Sequence, residues 1–253
     1  MPGSAATRHT LPVLGTPIDV LGIADAVKRV AALAAAQRGG MVCFCNAHAL
    51  VSARQDPMLA RALQQADLAA PDGAPVAWML RRLGAIGQSR VSGPDFMLAY
   101  CEHAAATGEP IYLYGSTPDT LRELQARLRA RWPGLRIAGA HAPPFRPLDA
   151  AEQAADLQRI RDSGARTVWV GLGCPKQELW MAAQRPRMTA VLIGVGAAFD
   201  FHAGTLRRAP TWMQHSGLEW LHRLLSEPRR LGPRYLVTNT LFLVGAARQL
   251  LGR

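Results

Sequence analysis

Short runs of β-branched and apolar residues, each ending in glycine or a turn, recur along the chain and alternate with longer stretches of helical periodicity. The clearest runs are residues 41–45 (MVCFC), 110–115 (PIYLYG), 167–173 (TVWVGLG) and 190–196 (AVLIGVG). Between them, residues 118–132 (PDTLRELQARLRARW) set apolar residues at helical spacing behind Pro118, a good first-turn residue. This alternation predicts βαβ units and an α/β fold with a mostly parallel, Rossmann-like sheet flanked by helices. The domain pattern runs from about residue 10 to about residue 200, and the core is assigned to residues 1–205. After Asp200 a loop, FHAGTLRRAP, leads into helix-like segments divided by Pro228 and Pro233, with no further strand signal. Residues 206–253 are expected to form a C-terminal helical appendage.

The last segment, Tyr235 to Leu251, carries Leu236, Leu241, Phe242, Leu243, Val244, Leu250 and Leu251, with Arg234, Arg248 and Arg253 around it. Arg234 and Arg248 enclose only thirteen residues, too few to span a bilayer. The pattern admits two placements: in a membrane interface with arginines toward anionic lipid, or packed as a last helix on the core. An apolar terminal helix also makes self-association into a homo-oligomer an expectation. The N-terminus, MPGSAATRHTLPVLG, lacks the charged and apolar regions of a signal peptide. Cys43, Cys45, Cys101 and Cys174 form neither CxxC pairs nor a dense disulfide framework. A cytoplasmic protein without a spanning helix is expected.

The chain of 253 residues has a net charge of +11, which predicts an anionic partner. Residues 201–253 hold eight arginines against two glutamates, and Lys28 and Lys176 are the only lysines in the chain, so the anion is expected against the C-terminal fifth. A solvated arginine-rich surface is the plainer explanation of the same numbers.

In an open parallel sheet, ligands bind beyond the carboxyl ends of the strands, where helix N-termini aim amides outward. Three strand-to-glycine turns belong there: Gly115 in YLYGS, Gly171 and Gly173 in VGLGCPKQE, and Gly194 and Gly196 in GVGAAFD. A nucleotide diphosphate suits such turns, although each alone also reads as an ordinary turn. The GxGxxG fingerprint is broken by Phe199 and there is no GxxxxGK[ST] loop, which disfavours dinucleotide and P-loop chemistry. Gln177 offers a donor and an acceptor to a base or sugar edge, while Glu178 reads as a first-turn carboxylate favouring the helix dipole. Asp72 lies between a short strand and a helix beginning near Ala74, where it either caps that helix or serves as a catalytic base. Asp200 is the second candidate carboxylate. No DxD pair is present to hold a divalent ion, and the scattered histidines show no ligand spacing, so no metal and no cofactor are expected. Arg207, Arg208, Arg223, Arg229 and Arg230, with Trp212 and Trp220, form the densest constellation, suited to phosphate or lipid diphosphate. A nucleic-acid-binding module or another nucleotide-dependent enzyme is the alternative; no RNP, KH, zinc-finger or helix-turn-helix signature supports the first, so nucleic acid is not expected as a partner.

The ordered strings PDG, RVSGPD, YLYGS, VGLGCPKQE, GVGAAFDFHAG, RRAPTW and GLEWLHRLLSEPRR resemble the WecG/TagA/CpsF glycosyltransferase family from about Asn46 to Arg234. The resemblance implies inverting, metal-independent transfer of N-acetylmannosamine, its uronic acid or glucose. The donor is a UDP-sugar and the acceptor an undecaprenyl-diphosphate-linked sugar at the inner face of the cytoplasmic membrane. It places the catalytic base on Asp72 and the donor site on Asn46, Gly115, Gly171, Gly173, Gln177 and Asp200. Acceptor phosphate falls to Arg90, Arg207, Arg208, Arg223, Arg229 and Arg230, with the appendage closing over the site. One departure concerns sugar identity: Phe44 stands where some members carry threonine, two residues before Asn46.

Overall fold

The computed structural model describes residues 8–252, apart from the side chains of His215, Arg230 and Arg234. The chain opens with β1 (Thr10–Val13) and β2 (Thr16–Asp19), an antiparallel hairpin, followed by α1 (Ile23–Ala36). Then come β3 (Gly40–Cys45), α2 (Ala47–Gln55), α3 (Pro57–Gln64), β4 (Leu68–Pro71), α4 (Ala74–Arg82) and α5 (Gly93–Thr107). The second half of the sheet brings β5 (Ile111–Gly115), α6 (Pro118–Arg131), β6 (Ile137–His141), α7 (Ala150–Asp162), β7 (Thr167–Gly171), α8 (Lys176–Gln184), β8 (Val191–Gly194) and α9 (Ala198–Ala203). The chain closes with α10 (Thr211–His215), α11 (Glu219–Ser226) and α12 (Pro228–Leu251).

Six of these strands form one parallel sheet in the order β4-β3-β8-β7-β5-β6. Side chains alternate across it, as the period of two requires. Met41, Cys43, Cys45, Tyr112, Tyr114, Val168 and Val170 face α2, α3, α4, α7, α8 and α12. Val42, Phe44, Ile111, Leu113, Trp169 and Ile193 face α1, α5, α6 and α9. Both faces are buried, which is why these strands read as continuous apolar runs. The expected α/β architecture is therefore the observed one.

Two elements escaped the hydrophobic pattern. β6 lies at the sheet edge and is only partly buried, and its IAGAH sequence offers no apolar run. The β1–β2 hairpin guards the opposite edge: the buried Asp19 carboxylate accepts the Ala69 amide of β4 at 2.7 Å and ion-pairs with Arg8 and Arg29. This satisfies one edge amide and gives the aspartate its counter-charge.

The C-terminal segment corrects one expectation. Pro233 does not divide the helices; it sits inside α12, which runs unbroken from Pro228. Near the start of a helix most of the ladder survives a missing N–H, and tertiary packing supports the rest. That packing comes from Leu231, Thr238, Phe242 and Ala246, buried on one side of α12, which rests on α2. Gln249 ties the helix to the first hairpin, accepting the Leu14 amide and donating to the Pro12 carbonyl. The opposite side leaves Leu236, Val237, Leu243 and Leu251 exposed. Both placements read from the sequence thus have an apolar face on the same helix. No helix among the described residues is long and apolar enough to cross a membrane.

Candidate active site

The pairing of β3 with β4 aligns Cys45 with Pro71, so the next residue on each strand, Asn46 and Asp72, emerges side by side at the carboxyl end of the sheet. Asn46 is the N-cap of α2, its side-chain oxygen accepting the Ala49 amide at 3.0 Å, and the same side chain hydrogen-bonds the Asp72 carboxylate. Asp72 does not cap α4, correcting one of its two readings: the N-cap is Gly73, with no side-chain cap bond. Gly73 adopts φ +81°, a left-handed conformation that suits glycine, and leads the chain into Pro75 of the first turn. The carboxylate is thereby left out of the helix cap. Burial pushes its pKa from 3.8 up to about 6, and the charge of Glu219 adds to the rise, while Arg90 opposes it.

Around Asp72 stands a set of charges drawn from distant parts of the chain. Arg90 donates from Nη1 to Glu219 Oε2 at 2.7 Å, and Arg208 donates from Nε to Glu219 Oε1 at 2.9 Å. Arg208 also grips Asp95 with both terminal nitrogens, and Arg90 lies 3.6 Å from the same carboxylate. Ser92, the N-cap of α5, donates to Asp95 at 2.6 Å. Burial alone would raise the Asp95 pKa, but the hydrogen bonds from Arg208 and Ser92 hold it below the ordinary carboxylate value. Asp95 and Glu219 lie within the RVSGPD and GLEW strings, yet sequence reasoning gave neither a role. The S-x-x-D spacing of Ser92 and Asp95 at a helix start was a readable signal for the first; Glu219 had none.

The glycine turns lie along the same end of the sheet. At Gly115, φ is +118° and an added Cβ would meet the Gly171 carbonyl oxygen at 2.6 Å. Gly171 in turn leaves no room for a Cβ because the Phe199 ring is 2.7 Å from that point. Gly115 is required by the close approach of β5 to β7, and Gly171 by the packing of α9 on β7. Gly173 differs: with φ +78° and open space where a Cβ would stand, it leaves its backbone open to approach. Gln177 lies behind it, buried, accepting the Gly173 amide at 3.2 Å and the Gly196 amide at 3.0 Å on one oxygen and donating to Glu178 at 2.9 Å. Its amide group is engaged within the protein and joins the β7 and β8 loops. Glu178 is in the first turn of α8 as expected, but it is buried rather than solvated, and burial raises its pKa. Asp200 lies in α9, where its carbonyl accepts the Leu206 amide.

The remaining arginines do not all converge on this cluster. The Arg223 guanidinium sits 5.5 Å over the ring of Phe201, one residue from Asp200. Arg207 and Arg229 are exposed, and the side chain of Arg230 lies outside the described residues. Phe44 points to the face opposite Asn46's neighbour Cys45 and packs on Phe96 with centroids 5.3 Å apart, a core role that accounts for an aromatic at that position. Among the described residues, no group of three or more His, Cys, Asp or Glu side chains is placed to hold a metal ion.

The N-terminus of α8 beyond β7, a half-buried carboxylate raised toward neutral pH and an arginine pair beside it form an arrangement suited to group transfer between phosphorylated substrates. In a protein-family comparison, the model of the glycosyl transferase WecG/TagA/CpsF family matches residues 11–253. The chain belongs to the glycosyl transferase WecG/TagA/CpsF family and is a glycosyltransferase of cell-surface polysaccharide biosynthesis.

Proposed function

We propose that the enzyme transfers a hexose from a UDP-sugar to an undecaprenyl-diphosphate-linked sugar with inversion, Asp72 acting as general base and no metal taking part. The observation that carries this reading is the placement of Asp72: it is held by Asn46, is not used as a helix cap, and has its pKa raised to about 6 by burial and Glu219. A base with that value is largely ionised at neutral pH yet basic enough to draw a proton from the acceptor hydroxyl as its oxygen attacks the anomeric carbon. The UDP leaves with the bonding electron pair. The loop bearing Gly173 and the N-terminus of α8 supply amides for the departing diphosphate, and Arg90 and Arg208 supply cationic donors for the lipid-linked one. Residues 1–205 act as the catalytic core and residues 206–253 as the appendage that docks on the membrane and closes over the site. The test is UDP release across a panel of UDP-sugars with an undecaprenyl-diphosphate-linked monosaccharide, EDTA present throughout. Release that needs the acceptor and survives EDTA is expected and names the donor sugar; release abolished by EDTA removes the metal-independent mechanism.

We also propose that the enzyme rests on the inner face of the cytoplasmic membrane through the outer side of α12. Leu236 is 73% and Leu243 63% exposed on a helix whose other side is already packed, and the exposed arginines Arg229 and Arg248 suit anionic lipid. The double substitution Leu236→Glu/Leu243→Glu leaves Phe242 and Ala246 in place. It is expected to abolish co-sedimentation with vesicles containing anionic phospholipid while preserving the fold by circular dichroism; pelleting equal to wild type would reject this surface.

A further inference from the structure

We infer that the Glu219 carboxylate is the resident occupant of an anion site formed by Arg90 and Arg208, and that the acceptor's diphosphate enters by displacing it. The inference rests on the reading of those arginines as phosphate-binding. Each oxygen of Glu219 is taken by a different guanidinium, at 2.7 and 2.9 Å, the way two oxygens of a phosphate group bridge a pair of arginines. The two cations remain anchored if Glu219 leaves. Arg208 is held by Asp95, itself fixed by Ser92 at the start of α5, and Arg90 stays within 3.6 Å of the same Asp95. Glu219 is the less anchored member. It is the first residue of α11, which has no side-chain cap and contributes no fully buried residue. With Glu219 in place, the two positive charges are balanced by two carboxylates, so the site is electrically closed. A diphosphate brings more charge and more acceptor oxygens than one carboxylate and therefore outcompetes it, freeing α11 from the core.

The probe is inorganic pyrophosphate, titrated calorimetrically into the full chain at low ionic strength with UDP present in excess to fill the glycine loops. Glu219→Gln is expected to bind pyrophosphate at least about tenfold more tightly than wild type, because the internal competitor has lost its charge. Affinity equal to or weaker than wild type overturns the inference. A second measurement needs no variant: pyrophosphate is expected to speed hydrogen exchange of the amides of residues 219–226 in the wild-type protein, and unchanged or slower exchange also overturns it. Arg90→Gln separates the two levels of the argument. If it binds pyrophosphate as wild type does, the phosphate-binding reading itself fails; if it weakens binding while Glu219→Gln changes nothing, the reading stands and the displacement fails.

Discussion

Asp72→Asn is expected to lower kcat by about 10²–10⁴-fold, the usual worth of a positioned general base, while leaving the protein folded. The substitution keeps the size of the side chain and a hydrogen-bonding partner for Asn46, and α4 keeps its Gly73 N-cap. The stability prediction follows from the sign of the pKa shift. The folded value, about 6, is above the ordinary 3.8, so the native state binds more protons than the unfolded chain between these values. This group's stabilising contribution is complete below about pH 4 and is lost as pH rises through 6. At pH 8 the ionised aspartate is therefore a cost to the wild type, and Asp72→Asn should melt at or above the wild-type temperature. A lowered melting temperature with normal turnover would instead assign Asp72 a purely structural role. In the wild type, kcat/KM should fall about tenfold per unit as pH drops below about 6, since the protonated acid cannot accept the acceptor's proton. Glu219→Gln should move that limb to lower pH, because it removes the neighbouring charge that helps raise Asp72.

Gln177→Leu is expected to destabilise the fold by about 2–4 kcal/mol and to weaken UDP binding, read by denaturant unfolding and by calorimetric titration. The two losses share a cause. One side-chain oxygen accepts both the Gly173 and Gly196 amides, and the same amide group donates to the buried Glu178. Leucine fills the space but leaves two loop amides and one carboxylate oxygen without that partner, at about 1–3 kcal/mol for each group that stays dry. The loops then lose their relative position, and the N-terminus of α8, which follows Gly173, no longer meets the diphosphate as a preorganised group. Reduced stability with unchanged UDP affinity would show that these loops are not the donor site.

Local periodicity made most of the fold legible. MVCFC, TVWVGLG and AVLIGVG became β3, β7 and β8, and PDTLRELQARLRARW became α6, because a strand buried on both faces is apolar throughout and a helix repeats every 3.6 residues. The strings ending those strands lie together at one end of the sheet, since loops beyond parallel strands converge there whatever their sequence. β6 stayed hidden because an edge strand buries little, and the first hairpin because its strands, TLPV and TPID, are short and mix proline, threonine and aspartate with few apolar residues, leaving little pattern to read.

By itself, then, the sequence determined the order of strands and helices, the glycine turns at the carboxyl ends of the strands and the excess of arginine in the last fifth of the chain, all properties of residues close to one another along the backbone. Only the tertiary structure decided what those residues face. Arg90 meets Glu219 across 129 positions and Arg208 meets Asp95 across 113, and an arginine bound to a carboxylate has the same sequence signature as one awaiting a phosphate. The register of β3 on β4 freed Asp72 from capping by setting it beside Asn46, and the packing of Phe242 chose which apolar side of α12 turns inward. Ion pairing, desolvation and burial depend on distance in space, and no period along a chain encodes a distance between segments a hundred residues apart.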